Sequence, residues 1–288
     1  MGEHITSDLS THLSSYREKQ IELIYSQCSN PDVDTAVHEI RKSFKRLRTL
    51  ELHLKPLDES LAMKRSDQWK MLGERLAAPR DSAVMRYGID HMLTEREQSY
   101  LLNVRNFLDL EYEKSIRKLT ENQVLPGIEK YIRKHRVLLN PIIPDTFVLA
   151  DISLMVKDLF TDSLKKGKKA NKKEKARFMH SWRKSMKHLQ YQLDIFHECG
   201  TEDLRNEERY IKSVTEQLGL FNDYSVLQKW LKSHKELIDI DSYKVIRSRL
   251  KKRKKKLAEE AFKKGKTLLK LDAVSWWKFL SNNAFPTD

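Results

Sequence analysis

The sequence predicts an all-α protein built as two related antiparallel helical bundles, and three observations predict it. Gly and Pro number 8 and 7 in 288 residues, less than half the usual share, while the good helix formers Leu, Lys, Glu and Arg abound. No stretch sustains the two-residue alternation of a half-buried strand, and no Asn-Gly or Asp-Gly pair offers a hairpin turn. The third observation is internal similarity at one fixed offset.

Around His38 the chain reads Val-His-Glu-Ile-Arg-Lys-Ser-Phe-Lys-Arg-Leu, and around His180 it reads Met-His-Ser-Trp-Arg-Lys-Ser-Met-Lys-His-Leu. Both fit H-x-x-R-K-S-x-K-[R/H]-L, and 180 exceeds 38 by 142. Downstream, Arg80-Asp81 and Asn222-Asp223 stand in similar contexts, and 223 again exceeds 81 by 142. Two motifs sharing one ungapped offset predict a tandem, divided near residue 144 where Pro141 and Pro144 punctuate the chain, giving units 1–144 and 145–288.

Each unit reads as a lead helix (about 5–27 and 147–165), a His helix (about 34–54 and 175–198) and a third helix (about 59–78 and 203–219). A short helix beginning at the Asp motif and a long final one complete the set. Asn30-Pro31 and Asp34 supply N-terminal signals for the first His helix. Short connections in this order make antiparallel neighbours, hence two bundles side by side.

Charge sets the functional class. The net charge is +14, and it is uneven: 23 Lys+Arg face 21 Asp+Glu in residues 1–144, but 32 face 20 in residues 145–288. Such asymmetry points to an anionic partner. Cys28 and Cys199 form neither a disulfide framework nor a C-x-x-C pair. No apolar run reaches the ~18 residues that span a bilayer. The first residues lack the basic and apolar regions of a secretory leader, and Gly2 with Thr6 fits only a loose acylation pattern. A cytoplasmic location follows as the expectation.

Placing residues at 100° steps separates two faces on each His helix. Val37, Ile40, Phe44, Leu47 and Leu54 form one apolar stripe, broken by Glu51; Met179, Trp182, Met186, Leu189, Leu193 and Phe196 form the other. The opposite arcs carry His38, Arg41, Lys42, Lys45 and Arg46, and His180, Arg183, Lys184, Lys187 and His188. Solvated helix faces ordinarily mix signs, because like charges one turn apart repel. Neither of these arcs contains an acid, and a bound anion would relieve the repulsion. Cations climbing one turn at a time suit a linear anion with regularly spaced charges: Arg forks onto paired oxygens, Lys is a point charge, and His gains charge beside an anion.

With these motifs the chain resembles the CHAD family, the conserved histidine α-helical domain, over essentially its whole length. The resemblance rests on His38–Leu47, His180–Leu189 and Arg80-Asp81; Asn222-Asp223 departs from the basic-acidic pattern. It implies one domain made of two bundles, with a basic cleft or pore between them. It also implies non-enzymatic binding of inorganic polyphosphate, no cofactor, and association with polyphosphate granules.

Four further features complete the expectations. Lys165–Lys175 reads as a basic Gly/Asn-containing loop beside the binding site. Residues 247–257 place a basic run on the last helix, with Ile246, Leu250, Leu257 and Ala261 marking its buried line. Arg253 is expected on that line with a carboxylate such as Asp223 or an anion as partner; Arg48, Arg249, Arg253 and Lys256 are secondary ligand candidates. Asp81 and Asp223 read as helix caps rather than catalytic acids. No metal-type ligand spacing accompanies His38 or His180. A nucleic-acid-binding helical protein is the competing reading, and a metal-dependent phosphohydrolase a weaker one.

Overall fold

Capping and one proline explain how the helices are cut. The computed structural model describes residues 6–90, 100, 102–173, 175–198 and 205–284; every regular element among them is helical, with no strand. Helix α1 spans Thr6–Cys28, and α2 spans Val33–His53. Asp32 caps α2, its carboxylate accepting from the Thr35 amide at 3.2 Å and the Thr35 hydroxyl at 2.6 Å. Asp58 caps α3 (Glu59–Glu74) in the same way through Leu61. Then come α4 (Ala77–Asp90), α5 (Leu102–Glu121), α6 (Val124–Lys134) and the short α7 (Arg136–Leu139). The second half holds α8 (Leu149–Lys173), α9 (Ala176–Glu198), α10 (Arg205–Ser233), α11 (Ile240–Gly265) and α12 (Ala273–Ala284).

Three expectations about these elements are corrected. The stretch from Lys165 is no loop: α8 stays helical through Lys173. Gly167 and the fully buried Ala170 let it lie close against α9, and a side chain at Gly167 would meet Trp182 at 2.9 Å. Next, the two helices expected over 203–219 and from Asp223 are one continuous α10, of which 203 and 204 lie outside the described residues. In the first half the same region is cut into α3 and α4, and Pro79 accounts for the cut. Lacking an N–H, Pro79 fits only the first turn of a helix, where no intrahelical acceptor is needed. The position matched by the offset is Phe221, which imposes no break. Finally, Asp81 and Asp223 cap nothing, since Asp81 is the fifth residue of α4 and Asp223 lies inside α10.

The apolar stripes read from the sequence are buried, and the core does not respect residue 144. One cluster joins Leu9, Leu13, Leu50 and Leu54 to Trp182, Met186, Leu189 and Phe196. Another joins Met85, Ile89 and Leu108 to Trp230, Ile246 and Leu250. Only the third, around Ile40, Phe44, Leu47 and Trp69, stays within the first half. Glu51, the break in the stripe, is fully buried between two guanidinium groups, with Arg17 at 3.0 Å and Arg65 at 2.7 Å. Arg17 also donates to the Leu139 carbonyl, so α1, α2, α3 and α7 meet at one buried charge cluster, in which the Arg17 Nε lacks an acceptor. Cys28 is partly buried, and burial pushes its thiol up to about 11; Gly2 and Cys199 lie outside the described residues. Among the described residues no helix is long and apolar enough to cross a membrane.

Candidate functional site

Helices α2 and α9 pack against each other, and their contacts advance together. Lys45 lies in the field of Arg183 and Lys187, Thr49 meets His188 at 2.9 Å, and His53 meets Gln192 at 3.1 Å. The helices are therefore parallel, with both N-terminal ends on one side. Exposure falls along them in the same direction: His38 is 49% exposed and Lys42 37%, whereas Thr49 and His53 are 0% exposed. On α9, His180 and Lys184 are exposed, Arg183 and Lys187 partly buried, and Gln192 fully buried. The strip between the two helices, here termed the cleft, thus runs from the histidines at its exposed end, the mouth, past cations on its two sides, the walls, to a polar seam at its buried end, the floor.

The floor is neutral. The His53 Nδ1–H donates to the Thr49 carbonyl at 2.8 Å, which leaves Nε2 to accept from the Gln192 amide. Burial pushes the His53 imidazole down to about 4, and burial with Arg48 does the same to His188. His188, expected as an anion ligand, is thus a neutral seam residue bound to Thr49. Arg46 also leaves the ligand row, because Asp194 of α9 holds its Nε at 3.0 Å and its Nη2 at 2.9 Å.

The walls are strongly positive. Burial pushes the Lys45 ammonium down to about 7, assisted by Arg183, Arg41, Lys187 and Arg80. Burial and Arg183 push Lys187 down to about 8, and Lys187 donates to the Gln190 side chain at 2.8 Å. Arg41 donates to the Gly73 carbonyl in the last turn of α3, which also accepts from the Leu76 amide at 3.3 Å. Its Nε nevertheless has no acceptor, and the Nε of Arg183, matched to it by the offset, is equally buried and unsatisfied. Arg17 and Arg48 carry the same feature elsewhere in the fold; what sets Arg41 and Arg183 apart is that they stand at matched positions within one another's field.

At the mouth, His38 is pushed below its ordinary range by burial and then by Arg80, while Glu39 opposes at 3.7 Å. Lys42 is held by the same Glu39 at 3.2 Å. His180 Nδ1 instead meets the Asn222 carbonyl oxygen at 2.7 Å. Arg80 is a wall residue that the helix-face reading left out, although its motif was visible; it stands in the fields of His38, Arg41 and Lys45. Asp81 and Asp223 complete the surround. Burial pushes the Asp81 carboxyl up, Arg41 opposes this, and Asp223 adds to it. Among the described residues no group of three or more His, Cys, Asp or Glu is placed to hold a metal ion.

The secondary candidates lie elsewhere. Arg48 faces Asp67 and Glu74 of α3. Lys256 is exposed beside Glu260 at 3.9 Å. Arg249, partly buried, is on α11 with it. Arg253 is exposed next to Tyr224, not inward against Asp223; the partly buried place belongs to Lys254, which bonds Gln228 at 2.8 Å and covers the Phe221 ring.

Comparison with known proteins fixes the family. The model of the CHAD domain matches residues 18–232, and the chain belongs to the CHAD family. The crystal structure of the CHAD domain from the plant Ricinus communis is similar in fold, with a TM-score of 0.70 at 19% identity, covering 92% of this chain and 93% of that one. No curated protein matches the sequence.

Proposed function

We propose that the α2–α9 cleft binds inorganic polyphosphate and performs no chemistry on it, in a cytoplasmic protein that associates with polyphosphate granules. One observation carries this reading: the matched Arg41 and Arg183 present buried Nε donors without acceptors, on either side of Lys45, whose charged neighbours are four cations and the single acid Asp81. Burying like charges together is costly, and an anion threaded between the walls would offset that cost while filling the empty donor positions. A phosphate chain offers charge at every unit and no apolar part, which matches walls of Arg, Lys and His. His38 and His180 at the mouth would add charge as the anion raises their proton affinity.

Nucleic acid shares the phosphate chemistry but brings bases, and the cleft walls offer no exposed aromatic platform for stacking them. Competition between polyphosphate and single-stranded or duplex DNA, at matched phosphate and salt, tests the reading. Polyphosphate should displace DNA at well below equimolar phosphate. Equal or tighter binding of DNA would replace polyphosphate with nucleic acid as the partner.

A further inference from the structure

The mouth of the cleft is not symmetric. On the α9 side the chain from Lys165 to Arg177 holds eight Lys or Arg against one acid, Glu174. Lys168, Lys169, Lys172 and Lys173 are exposed on the last turns of α8, and Asp162, the acid one turn before, is already held by Lys166 at 2.6 Å. Packing brings more charge to the same pole. Gly167 of α8 and Gly265 of α11 both lie against the Trp182 ring, so the exposed Lys263 and Lys266 at the end of α11 share this corner with the end of α8. The patch also reaches the mouth: Lys169 and Arg177 lie 5.0 and 4.7 Å from the Phe178 ring centre, two residues before His180. On the α2 side the positions matched to Lys168, Lys169, Lys172 and Lys173 are Ser26, Gln27, Asn30 and Pro31, which carry no charge.

We propose that this basic collar is a second contact surface for the same polyphosphate chain, engaged by phosphates that leave the cleft past His180. Affinity then depends on chain length in a way that the cleft alone would not produce. The inference rests on the cleft being a polyphosphate site. A chain anchored in the cleft presents its remaining phosphates to the collar at high effective concentration, so weak exposed contacts become productive. Each lysine that neutralises a phosphate releases a condensed counterion, and the affinity for long chains should fall more steeply with salt than the affinity for short ones.

The test uses sodium tripolyphosphate as a ligand short enough for the cleft, and long-chain polyphosphate as one that reaches beyond it. The collar variant is Lys168→Gln, Lys169→Gln, Lys172→Gln, Lys173→Gln; Gln keeps helix propensity at exposed positions. The control, Lys64→Gln, Lys114→Gln, Lys118→Gln, Lys134→Gln, removes the same charge from exposed sites on α3, α5 and α6. The collar variant should lose about tenfold or more in affinity for the long chain, with a shallower salt dependence and unchanged tripolyphosphate binding. The control should retain both affinities. Equal loss for both ligands, equal loss in the control, or no loss at all would overturn the collar. A wild-type chain that binds neither ligand would overturn the function itself, and the collar with it.

Discussion

Arg41 and Arg183 occupy matched positions on α2 and α9, yet their surroundings differ, and the difference traces to one residue remote from both. Pro79 separates α3 from α4, and the Gly73 carbonyl in the last turn of α3 anchors Arg41 while also accepting from the Leu76 amide at 3.3 Å. Phe221 stands where Pro79 would be, α10 runs on, and the carbonyl of the matched Thr215 stays within the helix ladder. Arg183 thus has no corresponding anchor. The mouth differs as well: His38 faces the cation Arg80, and His180 bonds the neutral Asn222. One motif written twice therefore gives one preorganised wall and one wall that is free to adjust to its ligand.

The largest expected effect ignores the asymmetry. Replacing Arg41, Lys45, Arg183 and Lys187 with Ala should leave helicity intact and weaken polyphosphate binding by far more than tenfold, because each charge-assisted contact contributes about 1.5–3 kcal/mol. Unchanged affinity in the folded variant, measured by calorimetry, would remove these residues from the site. The single variants then sharpen the comparison. Arg41→Ala should weaken binding and also lower stability by about 1 kcal/mol, through the lost Gly73 bond. Arg183→Ala should weaken binding with little loss of stability, since the buried Nε it removes has no acceptor. Equal denaturation midpoints for the two variants would contradict the anchoring difference.

Proton linkage comes next. Lys45 is faced by Arg41 on its own helix, by Arg80 and Asp81 from α4, and by Arg183 and Lys187 from α9. Its folded pKa, about 7, lies below the unfolded value of 10.5. The unfolded chain therefore binds more protons between these values, and Lys45 contributes stability that grows as pH rises from about 7 towards 10.5. An anion reverses the preference by favouring the ammonium. Binding at pH 8 should take up a proton, and affinity should fall as pH rises above 7, by at most about tenfold per unit for one linked proton. Calorimetry in buffers of different ionisation enthalpy reads this directly. Uptake that persists in Lys45→Met would move the linkage to Lys187 or the histidines.

The smallest effect addresses the mouth. Asn222→Arg gives the second half the cation that Arg80 supplies to the first. It should strengthen polyphosphate binding severalfold, on the scale of one added phosphate contact, and remove the His180 bond. Weaker binding would mean that the Asn222–His180 pair itself shapes the site.

The sequence was most informative where a single helix decides the outcome. The apolar stripes of α2 and α9, the cations opposite them and the interruption at Glu51 are all consequences of a 3.6-residue period. It was less informative where the partner lies on another helix. A helical wheel cannot show that Asp194 neutralises Arg46, that Thr49 takes His188 into a neutral seam, or that Arg17 and Arg65 close on Glu51. On α11 the error was one of rotation. The buried line from Ile246 to Gly265 drifts around the helix, so Lys254 lies about 35° from its centre and Arg253 about 65° away on the other side. The lysines after Lys165 looked like a loop because Gly and Asn interrupt them; close packing on Trp182 gives the Gly a reason to be helical.

The apolar cluster that crosses residue 144 also bears on how the chain is made. Leu9, Leu13, Leu50 and Leu54 are translated early, yet the side chains that cover them, from Ile152 to Phe196, emerge from the ribosome much later. At ordinary synthesis rates of roughly 5–20 residues per second, the first helices wait several seconds with one side of their core uncovered. The nascent chain should be a client for chaperones that hold exposed apolar surface during that interval. A stall placed after α7 would lengthen its dependence on them, and a stall placed after α9 would not.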